Sequence, residues 1–378
     1  MDLTLSLDEQ AFRDELRSWL EENPAGPTPE DEHERFAWRL EWLRRLNSGR
    51  FAAVHWPSQY GGRDGTATQN SILFAELARV GAPVPANHIA VFMAGPTIMR
   101  WGTDEQKARF LPRMLDGSEV WCQGFSEPGA GSDLASLSTF AERDGDDWIV
   151  TGQKVWTSEA QYADFCILVA RTDRDVAKHK GLSYFLLDMN SPGVMVRPLR
   201  QLTGESEFNE LFLDQVRIPG SRLLGGEGNG WQVALTTLTF ERSQIGMAYA
   251  IRVRTLLAAL MEHLSATGRI VDPLVADRVA DIEIRTRFLE LTSQRLLAEG
   301  EAKGGMGPEG SLTKWMWSDT NARLTELAVD VVGPDALVHG TAWSYALLRS
   351  RANSIEGGTT DVLKNIIADR VLGLPRVR

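Results

Sequence analysis

Glu241 and Arg242 stand in the middle of an otherwise largely apolar segment, residues 231–261. Taken as a helix, that segment places Trp231, Leu235, Leu238, Ile245, Tyr249, Val253, Leu256 and Leu260 on one stripe at 3.6-residue spacing. Glu241 falls three residues after Leu238 and four before Ile245, and Arg242 four after and three before, so the pair projects along the edge of that stripe toward the interior. Burying a carboxylate is costly, and its pKa rises unless a partner or ligand compensates. A carboxylate poised near neutral pH is suited to act as a general base. The alternative is a structural charge pair inside a helix bundle, and periodicity alone favours it. Gly246, within the same helix, costs about 1 kcal/mol relative to Ala and points to the close approach of another backbone or a ligand.

Other chemistry-bearing patterns are few. There is no strand-then-helix GxGxxG, no P-loop, no HExxH and no CxxC pair. Gly129, Ala130, Gly131 and Ser132 form a glycine-rich run, but the Leu134–Ser138 stretch after it opens no clear helix, so a dinucleotide-binding reading fails on context. The two cysteines, Cys122 and Cys166, make neither a disulfide framework nor a metal cluster and fit a reducing compartment; no metal is expected.

The elements that must carry these residues follow from the change of period along the chain. From Leu5 to about Leu115 apolar residues recur at helical spacing; from about Glu119 to Pro219 they form short alternating or continuous strand-like runs, with Asp144 and Gly145 as a turn between two of them. After the glycine-rich 225–230 the helical period returns and holds to the end. An α+β chain results, with expected domains at 1–118 (helical), 119–226 (β) and 227–378 (helical). The 378 residues, 43% hydrophobic and 24% charged, have the proportions of a folded protein able to divide into such domains. The charge of 40 minus 51, or -11, without a basic cluster argues against a nucleic-acid partner. Asp2, Asp8, Glu9, Asp14 and Glu15 exclude a signal or transit peptide, and no run approaches the roughly 18 apolar residues of a membrane span, so a cytoplasmic location is expected.

Trp121–Asp133 (WCQGFSEPGAGSD) followed by Gly152–Ser158 (GQKVWTS) resembles the flavin-binding signature of the acyl-CoA dehydrogenase family. Gly102–Lys107 with Phe110–Pro112 upstream, and Gly357–Thr360 near the end, match the same family in the same order, so the resemblance spans essentially the whole chain. It implies an N-terminal helical domain, a central β-sandwich or barrel and a C-terminal four-helix bundle. It further implies an FAD enzyme that oxidises the α,β bond of an acyl-CoA thioester to a trans-2-enoyl-CoA. A base takes the α-proton, the β-hydrogen leaves as hydride to flavin N5, and the electrons pass to an electron-transferring flavoprotein. By position in the motif, Phe125 and Ser126 meet the flavin ring, with Ser126 near N5. Trp156, Thr157 and Ser158 line the ring from the next strand, and Gln123 contributes backbone. Thr359 and Asp361 complete the cofactor set, and Ser132 corresponds to a residue beside the pantetheine arm. Without the resemblance, the serines and glycines read as a tight turn and Trp156 as a sandwich core residue.

Most members of the family carry the base immediately before the Gly-Thr of the carboxy-terminal loop, where this chain has Gly357; Glu356 is one residue too early. Members resembling isovaleryl-CoA dehydrogenase carry it on the long helix before an Arg, where Glu241 and Arg242 stand, so Glu241 is preferred as the base and Arg242 positions Glu241 or the CoA. The resemblance makes the Gly357 N–H and a ribityl hydroxyl the oxyanion donors. Two segments depart from the family pattern. Gly268–Pro273 replaces an Arg-x-x-Phe-Gly loop that reaches a neighbouring subunit's FAD, and Asp330–Pro334 replaces a Gln-x-x-Gly-Gly segment near the adenine and pyrophosphate. An Asp there is unfavourable unless neutralised. These departures resemble the bacterial branch acting on sterol side chains and other bulky acyl-CoAs, where an α2β2 heterotetramer of related subunits replaces the homotetramer or dimer. A non-catalytic subunit and a flavin monooxygenase on the same scaffold are the competing readings.

Overall fold

The computed structural model describes residues 4–303 and 307–375, and the side chains of 242–247 and 301–303 are outside that description. Helices α1 (Leu7–Glu22), α2 (Glu32–Ser48), α3 (Ala67–Arg79), α4 (Gly95–Trp101) and α5 (Asp104–Leu115) come first. Strands β1 (Trp121–Gly124), β2 (Phe140–Asp144), β3 (Asp147–Ser158), β4 (Phe165–Arg171), β5 (Leu182–Asp188), β6 (Val194–Leu199), β7 (Phe208–Ile218) and β8 (Leu223–Leu224) follow. The chain ends in α6 (Gly230–Ala266), α7 (Pro273–Lys303), α8 (Gly310–Val332), α9 (Ala342–Ser350) and α10 (Thr360–Ile366). The order of helices, sheet and helices is the one the change of period implies. Contacts group the chain into two compact units, one of residues 1–24, 66–82 and 242–378, the other of residues 25–65 and 83–241. The division cuts α6 between Glu241 and Arg242.

In the sheet-containing unit, the strand order is β6-β7-β3-β2-β4-β5-β8, with β1 added in parallel to β4 from Trp121 opposite Phe165 to Gly124 opposite Leu168. Gly145 and Asp146 form the turn between β2 and β3, one residue on from the expected Asp144 and Gly145, because Asp144 still pairs with Asp147; Gly145 takes φ +63°. Val150, Leu211 and Val216 from β3 and β7 share one buried core with Leu168, Phe185 and Leu187 from β4 and β5. Strands far apart in the order thus enclose a common interior, as in a sandwich or barrel. Almost every residue of β4 and β5 is buried, and Phe110 of α5 and Trp121 cover Phe165 from the side with ring centroids at 5.3 and 5.0 Å. Burial on both faces is why these strands read as continuous apolar runs rather than alternating ones.

The other unit contains α1 against α3 and the bundle of α7 to α10 with the second half of α6. Its core joins Ala250, Val253, Leu257 and Leu260 of α6 to Ile282 and Leu289 of α7 and to Trp317, Leu324 and Ala328 of α8. Reciprocal caps set several helix starts in both units. Ser6, Thr66 and Thr103 accept from the third helical N–H while Glu9, Gln69 and Gln106 reach back.

The second half of the α6 stripe is as expected, with Val253 and Leu260 buried and Tyr249 and Leu256 packed against them, while the first half differs. Val233, Ala234 and Thr237 are buried, Trp231 and Leu238 are half-buried, and Leu235 is 40% exposed. The phase shift has a polar cause. The Thr237 hydroxyl lies 3.0 Å from both the Thr97 hydroxyl and the Tyr184 phenol and 3.1 Å from the Val233 carbonyl, so a threonine occupies the interior at no cost in unsatisfied groups. Gly230 fixes where the helix starts, since a Cβ there would come within 2.5 Å of the Ser183 backbone nitrogen of β5. Among the described residues no helix is long and apolar enough to cross a membrane.

Candidate active site

Strand β3 carries the key irregularity. Its pairing with β7 jumps from Lys154 opposite Leu211 to Thr157 opposite Asn209, leaving one extra residue on β3, and Trp156 there adopts φ +61°. A bulge re-aims side chains, and a left-handed bulky residue is strained enough to mark a functional position. Trp156 stands 59% exposed, edge-on to Phe208 at 6.0 Å, which excludes the sandwich-core alternative for it. Thr157 points the other way and is fully buried, with no hydrogen-bond partner for its hydroxyl, while its carbonyl accepts from Asn209 Nδ2 at 3.1 Å.

The Val155 N–H donates to the Ser126 carbonyl at 2.9 Å, which brings Ser126 beside the bulge that carries Trp156, Thr157 and Ser158. Phe125 is buried, its ring edge-on to Tyr184 at 5.8 Å. Gln123 is half-buried on β1. Tyr184 leads on to Thr237 through the 3.0 Å contact of their hydroxyls, and Glu241, half-buried, lies one turn beyond Thr237 on α6. Burial pushes the Tyr184 phenol well above its ordinary value, so it serves here as an uncharged donor and acceptor. Val233 and Thr237, rather than Leu238, mark the buried side of this part of α6. Arg242, Ile245 and Gly246 are outside the described residues. Ser132 is exposed on the loop after Phe125, next to Asp133, which pairs with Lys178 at 2.7 Å.

Beneath the Ser126 segment lies a pair that motif reading passes over. Lys154 is fully buried and donates to Glu127 Oε1 at 2.8 Å and to the Phe125 carbonyl at 3.1 Å. Glu127 also accepts from the Ser138 N–H at 2.6 Å, the Ser138 hydroxyl at 2.8 Å and the Thr139 N–H at 2.9 Å. Burial pushes Glu127 up, but the Lys154 charge and these hydrogen bonds outweigh it and hold the carboxyl at about 2. Burial in turn lowers Lys154 below its ordinary value, against the pull of Glu127.

In the other unit, Gly357 and Gly358 take φ +59° and +99°, a turn open to glycine. Thr359 caps α10 by accepting from the Val362 N–H at 3.2 Å, with Asp361 in the first turn. Glu356 receives Arg349 at 3.2 and 2.9 Å on its two oxygens and Asn353 Nδ2 at 2.8 Å. Arg269 donates to the Val331 carbonyl, and Asp330 pairs with Arg278 at 2.8 Å, so the charge introduced at 330 is met by a cation of the same chain.

A helical region, a bulged sheet that presents an exposed indole, and a carboxy-terminal helical bundle follow one another in the order expected of a flavoprotein dehydrogenase. The chain belongs to the acyl-CoA dehydrogenase family: models of its N-terminal, middle and C-terminal domains match residues 6–118, 122–216 and 228–372. It is 40% identical to acyl-CoA dehydrogenase IpdE1 of Mycobacterium tuberculosis over 98% of each chain, and 39% identical to IpdE1 of Mycolicibacterium smegmatis over 98% of this chain and 99% of that one. Among solved structures it is similar to the Tcur3481-Tcur3483 steroid ACAD (TM-score 0.87, 29% identity) and the ChsE4-ChsE5 complex from Mycobacterium tuberculosis (TM-score 0.87, 30% identity), each covering 100% of both chains. The protein is thus an FAD-dependent oxidoreductase that dehydrogenates acyl-CoA.

The residues present fit FAD. An exposed aromatic on a strained bulge offers a face to a ring, while the Thr157 hydroxyl on the opposite side of the strand is enclosed within the protein without a hydrogen-bond partner. Thr157→Val is expected to leave the melting temperature of the flavin-free protein unchanged or slightly raised, because the hydroxyl it removes is buried without a partner, and a titration followed by flavin fluorescence checks its part in FAD binding: a fall in affinity would show that the flavin reaches Thr157. Unchanged FAD affinity would remove Thr157 from the cofactor set.

Proposed function

We propose that this chain removes a proton from the α-carbon and a hydride from the β-carbon of a bulky acyl-CoA to form the trans-2-enoyl-CoA, with Glu241 as the base. FAD, when bound, supplies the two-electron acceptor, and an electron-transferring flavoprotein then takes the electrons. The observation that carries the choice of base is the environment of Glu356: its carboxylate already receives Arg349 on both oxygens and Asn353 on one, so it is engaged in structural pairing within its own segment. Glu241, half-buried and one turn past a buried threonine, is the carboxylate α6 offers for this role. The Gly357 N–H donates to the thioester carbonyl, whose polarisation makes the α-proton acidic enough for a carboxylate to remove. Ser132 meets the pantetheine arm and Arg242 positions Glu241 or the CoA. Gln123, Phe125, Ser126, Trp156, Thr157, Ser158, Thr359 and Asp361 hold the cofactor, on domains 1–118, 119–226 and 227–378.

We infer a related, different subunit as partner. Arg269 is spent on the Val331 carbonyl of its own chain, and apolar side chains near that corner are left open, Val271 83%, Leu274 77% and Leu337 69% exposed. The solved relatives ChsE4-ChsE5 and Tcur3481-Tcur3483 are named as pairs, and the second of them as a steroid enzyme. The bulky, sterol-derived acyl-CoA class follows from that likeness.

The test begins with the flavin-to-protein ratio of the chain purified alone and again after co-expression with a related subunit. Sub-stoichiometric flavin alone and full loading in the pair is the expected result; one FAD per chain in the isolated protein would overturn the need for a different subunit. The loaded protein, mixed anaerobically with steroid-side-chain and straight-chain acyl-CoAs, is expected to bleach with the former and release its 2-enoyl-CoA. Failure to bleach with any acyl-CoA would sink the dehydrogenase reading.

A further inference from the structure

The Gly357–Gly358 turn has no side chains of its own with which to hold its peptide planes, yet the reading above requires one of its N–H groups to point at a fixed place. An anchor lies on α8. Lys314, Ser318 and Asn321 recur at helical spacing on one face, and all three grip the segment leading into the turn. Lys314 Nζ donates to the Asn353 carbonyl and, at 3.3 Å, to the Gly358 carbonyl. The Ser318 hydroxyl lies 2.8 Å from the same Asn353 carbonyl, and Asn321 Nδ2 donates to Asn353 Oδ1 at 2.7 Å. Asn353 in turn donates to Glu356, which Arg349 holds. The turn is thus bracketed on both sides, Asn353 before it and Gly358 within it, by one ammonium group.

That ammonium is 3% exposed, with the Trp317 ring 5.7 Å away and Tyr249 stacked on Trp317 at 3.9 Å. Burying a positive charge is unfavourable, and an unbranched apolar side chain of similar length would fill the same space without that cost. A charge kept there is explained by what it does to its acceptors. A cation on two carbonyls fixes their direction and with it the Asn353–Ser354 and Gly358–Thr359 peptide planes; the Gly357 N–H belongs to the Glu356–Gly357 plane between them, and with the Glu356 N–H bonded to the Ala352 carbonyl, Lys314 acts on it by pinning both ends of this short segment. Its field also favours negative charge nearby, which a thioester develops as its α-proton leaves.

We propose that Lys314 is a positioning residue for the reaction: by holding the Asn353 and Gly358 carbonyls it orients the Gly357 N–H and raises the acidity of the bound substrate's α-carbon. The proposal rests on the oxyanion role given to Gly357 above.

The experiment uses the FAD-loaded protein, with its partner subunit where loading requires one, and an acyl-CoA analogue with sulfur in place of the β-methylene. Such an analogue loses its α-proton without being oxidised, and its anion gives a long-wavelength charge-transfer band against oxidised flavin. Wild-type protein is expected to lower the pKa of the bound analogue below that of the free one. Lys314→Met is expected to retain flavin and melting temperature, keep KM within about threefold, lower kcat at least about tenfold and raise the bound analogue's pKa by about one unit or more, since one unit is tenfold in the equilibrium. Lys314→Arg, which keeps the charge, is expected to recover most of both changes. Wild-type protein that does not lower the analogue's pKa overturns the oxyanion reading of Gly357. Wild-type protein that lowers it, with Lys314→Met lowering it equally and kcat unchanged, overturns the role of Lys314 alone. Loss of flavin and fold in both variants makes Lys314 structural and overturns it too.

Discussion

Glu241→Gln is expected to keep its flavin and its melting temperature while reduction of that flavin by substrate, followed anaerobically at its visible band, slows about 10³- to 10⁴-fold. The substitution preserves size and hydrogen-bonding capacity and removes only the ability to accept the α-proton, so the loss takes the upper range for a positioned general base. KM for acyl-CoA changes little, because the interaction lost is made in the transition state. Glu356→Gln is the matched control. It weakens the two-point pairing with Arg349 and the bond from Asn353, so it lowers stability by about 1 kcal/mol yet leaves bleaching fast. Fast bleaching by Glu241→Gln together with slow bleaching by Glu356→Gln would return the base to the carboxy-terminal loop.

What could be read in the sequence was whatever depends on local period or on a contiguous motif. The order of helices, sheet and helices follows from hydrophobic spacing, and β4 and β5 stand out as unbroken apolar runs because both of their faces are covered. The flavin segment could be found because Gln123–Ser126 and Trp156–Ser158 lie in two short stretches. What was hidden depends on pairing across distance. The first half of the α6 stripe was out of phase because counting apolar residues cannot see that Thr237 is satisfied by Thr97 and Tyr184, 140 and 53 residues away. The outward aim of Trp156 arises from the register between β3 and β7, a property of neither strand alone. Asp330 reads as a misplaced charge in the sequence because its counter-charge, Arg278, lies 52 residues earlier. Lys314 carries no local signal either, since its acceptors are backbone carbonyls 39 and 44 residues on.

The Glu127–Lys154 pair is the sharpest case of this kind, its members 27 positions apart and both inside the flavin motifs. Lys154→Met is expected to destabilise the sheet-containing unit by about 3–5 kcal/mol, because it leaves a carboxylate buried without its counter-charge. That corresponds to a fall in melting temperature of roughly 10 °C for a unit of this size. The Phe125 carbonyl loses its donor in the same step, so the Phe125–Ser126 segment loosens and FAD affinity falls with stability. Glu127→Gln is the milder change, since an amide oxygen can still accept from Ser138 and Thr139. Combining Lys154→Met with Glu127→Gln is expected to cost less than the sum of the two single changes, the mark of a coupled pair. The pH dependence gives an independent sign. A carboxyl held at about 2 when folded and near 4.5 when unfolded contributes stability above the unfolded value, and loses it as pH falls from there toward the folded one. The difference amounts to about 3 kcal/mol. In Lys154→Met, Glu127 keeps its burial but loses its largest source of stabilisation as an anion, so the acid-side loss between about pH 4.5 and 2 flattens. Wild-type and variant proteins with parallel acid-unfolding curves would show that the pair contributes no more than its packing, and the flavin segment would then owe its position to the Val155–Ser126 hydrogen bond.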